Sequence, residues 1–314
     1  MTNAFLFPGQ GAQTIGMGRD LAEAYPAAKD VFSTVDDALN EKLSALIWDG
    51  EIETLTLTQN AQPALMAMSM AVVAALEVEG ITIEAASFVA GHSLGEYSAL
   101  CAAKSLTVSD TAKLLRLRGE AMQAAVPVGE GAMAAILGLD FEAVSLIARE
   151  AARGGQVCQA ANDNDPGQVV ISGTKAAVEL AAEIAKERGA KRAMLLPVSA
   201  PFHCKLMQPA QDKMQEALSD ATILDPIVPV VQNVSAHAVS DAASIRQNLV
   251  NQVTGSVRWR ESIDWMASQG VTATFEIGAG KALSGMVRRI VKDVSVNAVG
   301  DAAGVAAARD IMKG

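Results

Sequence analysis

The sequence predicts an α/β protein: a parallel-sheet core layered with helices, carrying a small inserted subdomain of ferredoxin-like type. Three observations lead there. Half of the 314 residues are hydrophobic and only 19% are charged, so the chain can bury a large core as one domain with or without an insert. The apolar share comes from Ala, Val, Leu and Met rather than aromatics, which suits helices on a parallel sheet better than a β-sandwich. Between residues 129 and 198 the rhythm changes to β-α-β-β-α-β, the order of a ferredoxin-like unit.

In chain order, residues 4–7 predict a short buried strand closed by Pro8-Gly9. The Gly-rich GQGAQTIGMG loop then leads into a helix over 21–39, and a core helix covers 62–79 with Pro63 in its first turn. Residues 87–90 predict a strand, followed by the sharp GHSLGEYSAL turn and a helix to about Ala103. A helix over 109–125 starts from a Ser109 cap and ends before Pro127. Within the insert, strands over 132–137, 156–160, 168–172 and 192–198 alternate with helices over 141–153 and 175–188, and NDNDPG supplies the turn between the middle strands. Strand candidates at 229–234 and 274–277 return the chain to α/β character. The expected division is 1–127 plus 199–314 for the large domain and 128–198 for the small one.

Composition narrows the function classes. A net charge of −10 makes the chain a poor general binder of nucleic acid or anionic membrane, so an anionic partner must meet a local basic patch. Cys101, Cys158 and Cys204 are widely spaced, odd in number and without a C-x-x-C pair, which reads as reduced thiols of a cytoplasmic protein. The opening MTNAFLFPGQ lacks a basic n-region and a long apolar stretch, so no signal peptide is expected. No run reaches the ~20 apolar residues of a membrane span.

The sharpest chemical signal is Gly91-His92-Ser93-Leu94-Gly95, a G-x-S-x-G placed between a strand and a helix, the setting of a nucleophile elbow. The glycines allow a tight turn, and Ser93 is lifted at the start of a helix, where the Leu94 N–H and the helix dipole can stabilise an oxyanion. A serine nucleophile needs a base, and there are three histidines. His92 adjoins the nucleophile and reads as a packed, hydrogen-bonding residue of the turn. His237 sits in a polar turn. His203, in PVSAPFHC, follows a strand; its type and context alone leave catalytic and structural roles both open. The GQG loop lacks the spacing of a dinucleotide or Walker phosphate loop.

FPGQGAQ at 7–13, GHSLGEYSAL at 91–100, RLRGEAMQ at 116–123, PVSAPFHCKLM at 197–207 and EIGAGKALSGMVRRI at 276–290 resemble successive blocks of the malonyl-CoA:acyl carrier protein transacylases. They come in the family's order and span nearly the whole chain. The resemblance implies a large α/β-hydrolase-like domain with a ferredoxin-like insert, and S-malonyl transfer to a carrier protein in fatty-acid biosynthesis. It implies Ser93 as nucleophile, His203 as base, the Gln10 and Leu94 N–H groups as oxyanion hole, and Arg118 as the grip on the malonyl carboxylate. Gln252, in NQVTGSVRW, matches a residue whose carbonyl orients the histidine. Phe202 resembles the form associated with malonyl rather than branched groups, and His92 belongs to the same substrate site. Ala279 stands where proline is common, and Cys204 where serine is frequent.

The same resemblance implies no metal or redox cofactor, since thioester exchange needs only a base and an oxyanion hole. The implied partners are malonyl-CoA and an acyl carrier protein, with no nucleic acid and no membrane, and the chain acting as a monomer. Lys186, Arg188, Lys191 and Arg192, with Arg288, Arg289 and Lys292 nearby, are the expected docking patch for the acidic carrier. The alternatives are the malonyl transferase component of a malonate decarboxylase, a serine hydrolase of the same fold, and a non-catalytic docking module.

Overall fold

The structure is a computed structural model and describes residues 2–313. Strand β1 (Asn3–Phe7) opens the chain and is buried beyond its first residue. The helix expected over 21–39 is two helices, α1 (Arg19–Ala24) and α2 (Pro26–Leu39). Tyr25 precedes a proline, which disfavours helical backbone, and it sits extended at φ −127°. Two short helices that periodicity did not reveal, α3 (Leu43–Asp49) and α4 (Ile52–Thr56), lead into α5 (Thr58–Val78). α5 starts earlier than expected because Asn60 and Ala61 both donate to the Leu57 carbonyl, so Pro63 lies inside the helix. By length and apolarity α5 could cross a membrane, but 83% of its most apolar stretch is buried within the protein.

β2 (Phe88–Gly91) runs into the elbow, followed by α6 (Gly95–Ala102) and α7 (Val108–Ala124). The cap of α7 is Thr107 rather than Ser109: its hydroxyl accepts the Asp110 N–H at 3.0 Å. The next six elements are β3 (Gly131–Leu137), α8 (Phe141–Ala151), β4 (Cys158–Asp165), β5 (Gln168–Thr174), α9 (Lys175–Glu187) and β6 (Arg192–Leu195). Their antiparallel sheet has the order β4-β5-β3-β6, which is the ferredoxin-like topology. Helices α8 and α9 cover one face through Val144, Ile147, Val178 and Ala181.

One boundary in this sheet differs in a way that matters. The sequence NDND was expected to turn, yet β4 continues through it to Asp165, with irregularities in register at Ala160/Asn162 and Asp163/Asp165. The reason is a second partner. Asp163 N–H donates to the Val257 carbonyl at 2.9 Å and Val257 N–H to Ala161 at 2.8 Å, while Arg260 and Arg289 meet the Asp163 and Asp165 carboxylates at 2.8 and 2.7 Å. This polar stretch is extended because it stitches the small sheet to the rest of the protein. β6 in turn stops at Leu195, ahead of Pro197, short of the expected 198.

The remaining elements are α10 (Gln208–Asp220), β7 (Val230–Val231), β8 (Ala238–Val239), α11 (Ala242–Gln252), α12 (Trp259–Ser268), β9 (Ala273–Ile277), α13 (Ala282–Ile290), β10 (Ser295–Val299) and α14 (Ala302–Lys313). The strand expected over 229–234 is thus only two residues long. The large sheet has the order β10-β9-β1-β2-β7-β8, parallel except between β7 and β8. Strand alternation divides its two faces. Phe5 and Phe7 pack with Phe275 and α5 on one side, while Ala4 and Leu6 pack with Trp259, Ile263 and Val287 on the other. Phe7 pairs with Gly91, so the loop after β1 and the elbow after β2 leave the sheet side by side at the carboxyl ends of adjacent strands.

Candidate active site

The elbow is shaped by glycine contacts. A Cβ on Gly91 would lie 1.9 Å from the Gly95 carbonyl group, and one on Gly95 would lie 2.2 Å from the Phe7 carbonyl oxygen. Only hydrogen at both positions lets α6 start directly above the strand ends. Ser93, between them, takes the left-handed φ of 54° that L side chains avoid. The strained turn is held by outside partners: the Ser93 N–H donates to Asn233 Oδ1 at 2.8 Å, and Gln252 Nε2 donates to the Ser93 carbonyl at 3.0 Å.

His203 meets the serine from the other side, with Nε2 2.8 Å from Ser93 Oγ. Its Nδ1 lies 2.9 Å from the Gln252 carbonyl oxygen. A carbonyl can only accept, so Nδ1 carries the proton and the Nε2 lone pair faces the serine hydroxyl. Burial first, and the neighbouring Arg118 second, hold the imidazole down to about 3. Both causes move it below the solvated imidazole's reference value of ~6.5. Nitrogen-15 NMR of labelled histidine should show His203 as the Nδ1–H tautomer from pH about 8 down to about 5. A titration near ~6.5 would contradict the buried, Arg118-facing geometry.

Arg118 is reversed from the usual surface arginine: it is 1% exposed. Gly119 explains how it gets there. A Cβ at 119 would lie 2.5 Å from Gln59 Cα, so glycine lets α7 press against the first turns of α5 and brings Arg118 to Gln62. The guanidinium donates to Gln62 Oε1 at 2.7 Å, Gln252 Oε1 at 2.9 Å and Ser93 Oγ at 3.1 Å, and it lies 5.6 Å from the Tyr97 ring centroid. Its Nε has no partner, and among the described residues no carboxylate forms an ion pair with it. A buried cation held only by neutral groups, opening onto a cavity, is built to receive an anion.

That cavity has a volume of about 390 Å³ and lies between the carboxyl ends of the large sheet and the inner face of the small one. Ser93, Leu94, His203, Arg118 and Gln10 line it on one side, and Met133, Asn162 and Val170 on the other. Phe202 also lines it. The backbone N–H groups of Gln10 and Leu94 carry no hydrogen bond within the described residues. Gly9 passes so close to the elbow that a Cβ would meet the His92 carbonyl oxygen at 2.7 Å, which sets Gln10 beside the serine. His92 lines the same cavity, but its ring is tied to Asn164 Oδ1 at 2.9 Å and packs on Trp259. His237 lies apart, exposed and bonded to the Ser235 carbonyl.

The basic stretches flank the β4–β5 turn. Gly138 N–H donates to Gly167 in that turn, and Lys191 N–H donates to Leu137 beside it, while Arg289 grips Asp165 at the turn's start. All seven side chains, Lys186, Arg188, Lys191, Arg192, Arg288, Arg289 and Lys292, are exposed, but Arg188 pairs with Glu150 and Arg289 with Asp165. Ala279 and Cys204 are buried and neither lines the cavity; the Cys204 thiol donates to the Pro201 carbonyl. Sequence reasoning missed Gln62, Asn233 and Glu96, three buried polar residues around the site. A glutamine at the head of the apolar run of α5 and a glutamate inside GHSLGEYSAL were the available signals.

Comparison with known proteins agrees with this geometry. Residues 4–308 match the acyl transferase domain family. A malonyl CoA-acyl carrier protein transacylase from Bacillus subtilis is 52% identical over 95% of this chain and 93% of its own length. The crystal structure of an acyl-carrier-protein-S-malonyltransferase from Bartonella henselae is 56% identical, covers 100% of both chains and superposes with a TM-score of 0.97. A malonyl-transacylase in complex with its type II polyketide synthase acyl-carrier protein is 43% identical, covers 99% of this chain and 100% of its own, and has a TM-score of 0.96. The chain belongs to the acyl transferase domain family, among the malonyl-CoA:acyl carrier protein transacylases.

Proposed function

We propose that this protein moves a malonyl group from malonyl-CoA to the phosphopantetheine thiol of an acyl carrier protein through a malonyl-Ser93 ester. The observation that carries the reading is the buried Arg118 cation, without a carboxylate ion pair among the described residues and 3.1 Å from the Ser93 hydroxyl. It supplies the one feature that separates malonyl from acetyl. Relatives named for this activity, over nearly the full length, support the same substrate pair.

The chemistry follows from the hydrogen bonds. His203 Nε2 takes the Ser93 hydroxyl proton as Oγ attacks the thioester carbon. The oxyanion that forms is received by the Gln10 and Leu94 N–H groups. The tetrahedral intermediate collapses, the C–S bond breaks, and coenzyme A leaves with the proton from His203. In the second half, His203 takes the proton of the carrier's thiol. The thiolate attacks the ester carbon, and Ser93 Oγ leaves and regains that proton. An esterase would place a carboxylate behind the histidine; here the Gln252 carbonyl stands there, which disfavours the hydrolase alternative. Incubation with labelled malonyl-CoA and mass analysis of the Ser93 peptide tests the proposal. No adduct on Ser93 would reject it.

The proposal extends to a cytoplasmic monomer serving fatty-acid biosynthesis, with 1–127 plus 199–314 as catalytic domain and 128–198 as small subdomain. The carrier's docking site in this reading is the basic rim of the β4–β5 turn, with Lys186, Lys191, Arg192, Arg288 and Lys292 free of ion pairs within the described residues. Reversing Arg288 and Lys292 to Glu, which spares the Arg289–Asp165 pair, should raise the KM for the carrier protein several-fold at low salt and leave malonyl-CoA kinetics alone. The effect should fade toward 1 M salt, where the Debye length is ~3 Å. An unchanged carrier KM would move docking elsewhere.

A further inference from the structure

One buried acid takes no part in the steps above. Glu96, in the first turn of α6, is 0% exposed, and it forms no ion pair within the described residues. Its Oε2 accepts the Asn233 backbone N–H at 2.6 Å and its Oε1 accepts Gln232 Nε2 at 3.2 Å. The Gln232 amide cannot turn over freely, because its Oε1 accepts Asn248 Nδ2 at 2.8 Å. Asn233, fixed in this way, spans the elbow with its side chain. Its Oδ1 accepts the Ser93 N–H at 2.8 Å and Gln252 Nε2 at 3.3 Å, and its Nδ2 donates to the Gly91 carbonyl at 2.7 Å. The two residues flanking His92 are therefore clamped by one amide, and that amide is held by one carboxylate.

We propose that Glu96 and Asn233 form a positioning relay: the Glu96 carboxylate fixes Asn233, and Asn233 holds the backbone of the elbow so that Ser93 Oγ stays aligned with His203. The inference rests on the acyl-transfer reading for its assay but on hydrogen bonds alone for its geometry. Ser93 needs such a clamp, since φ 54° is unfavourable for serine unless its surroundings enforce it.

The clamp also makes a prediction about pH. Both Glu96 oxygens face donors, so the ionised form satisfies the network, whereas a protonated carboxyl would push an O–H against an N–H. Burial works the other way and lifts Glu96 to about 7, opposed by the Asn233 N–H, the nearby Gln252 amide and the Gln232 amide, and then by Arg118. The titratable groups facing it are Arg118 from α7 and its neighbour Tyr97; Gln232, Asn233 and Gln252 are neutral amides. Ionisation of Glu96 thus falls near neutral pH, whereas His203 stays neutral there.

The test is single-turnover acylation by malonyl-pantetheine, which carries no phosphate to titrate in this range. In the wild type the rate should fall as pH drops through about 7. Glu96→Gln should lose that acid limb. It should acylate about 10²-fold more slowly at its plateau, the order expected for a misaligned nucleophile, with malonyl-pantetheine affinity little changed. Asn233→Ala should show the same loss, and combining the two should add little. A purely structural role would lower rates without removing the pH limb. Full plateau rate in Glu96→Gln with the acid limb intact overturns the relay. If that variant fails to fold, a wild-type rate that stays flat from pH about 8 to about 5 overturns it instead. Labelling of Ser93 by a fluorophosphonate reads the same limb without malonyl. Absence of malonyl-enzyme in the wild type alone therefore counts against the acyl-transfer reading, and a wild-type labelling rate without the acid limb counts against the relay.

Discussion

Ser93→Ala should leave a folded protein that forms no malonyl-enzyme, with transfer to the carrier reduced by ~10⁶-fold or more. Among the described residues the serine hydroxyl is the side-chain oxygen that faces His203 Nε2, at 2.8 Å, and the Gln10 and Leu94 N–H groups that line the same cavity carry no hydrogen bond. Its removal takes one acceptor from Arg118, which keeps Gln62 and Gln252, so the fold should hold. His203→Ala should lower acylation by about 10²–10⁴-fold, the usual contribution of a positioned base, while binding of malonyl-CoA persists. The residue of activity belongs to the oxyanion donors and to Arg118. Rapid-quench measurement of the acyl-enzyme, with mass analysis of the Ser93 peptide, separates these outcomes. Wild-type-like acylation in Ser93→Ala would sink the central claim.

How much of this was legible beforehand depends on how local each feature is. The elbow could be read because its cause is local: two glycines, a serine and a strand-to-helix setting within five residues. The ferredoxin-like insert could be read because six elements in a fixed order leave few topologies. Tyr25–Pro26 carried a legible break that a longer apolar pattern masked. β4 was misjudged for the opposite reason. Asn, Asp and Pro favour turns when nothing else acts on them, and only the fold reveals that Val257, Arg260 and Arg289 occupy their hydrogen-bonding groups.

The site shows the same division. Ser93, His203 and Arg118 sit in recognisable blocks, but what makes them work comes from α5, β4 and the segment after β7. Gln62 meets Arg118 across 56 positions, and Asn233 meets Ser93 across 140. No periodicity predicts such meetings. The protonation of His203 could not be read from residue type, because a reference value describes a solvated imidazole and this one is buried beside a guanidinium. Residue type gives the chemistry a side chain can perform; its burial and neighbours decide at which pH it performs it.

Arg118→Ala should separate recognition from chemistry. Malonyl differs from acetyl by one carboxylate, and a cavity lined by Met133, Val170, Leu196 and Phe202 cannot hold that charge unaided. Arg118 already has its Nη atoms engaged by Gln62 and Gln252, which orients the planar fork before substrate arrives, and its Nε remains unpartnered. Lysine has three donors on a single nitrogen and no planar fork to reach both glutamines and a carboxylate in these directions, so Arg118→Lys should restore little. Breaking a buried ion pair by removing one partner costs ~3–5 kcal/mol. At ~1.36 kcal/mol per decade, kcat/KM for malonyl-CoA should fall by roughly 10²–10⁴-fold. Acetyl-CoA forms no such pair and leaves the wild-type guanidinium buried and uncompensated. In Arg118→Ala its transfer should be unchanged or improved, because the donor to Ser93 Oγ that draws electron density from the nucleophile is also gone. Both substrates should be measured on the same preparation, since only their ratio distinguishes lost recognition from lost structure. A parallel fall would make Arg118 a structural residue and place carboxylate recognition elsewhere in the cavity.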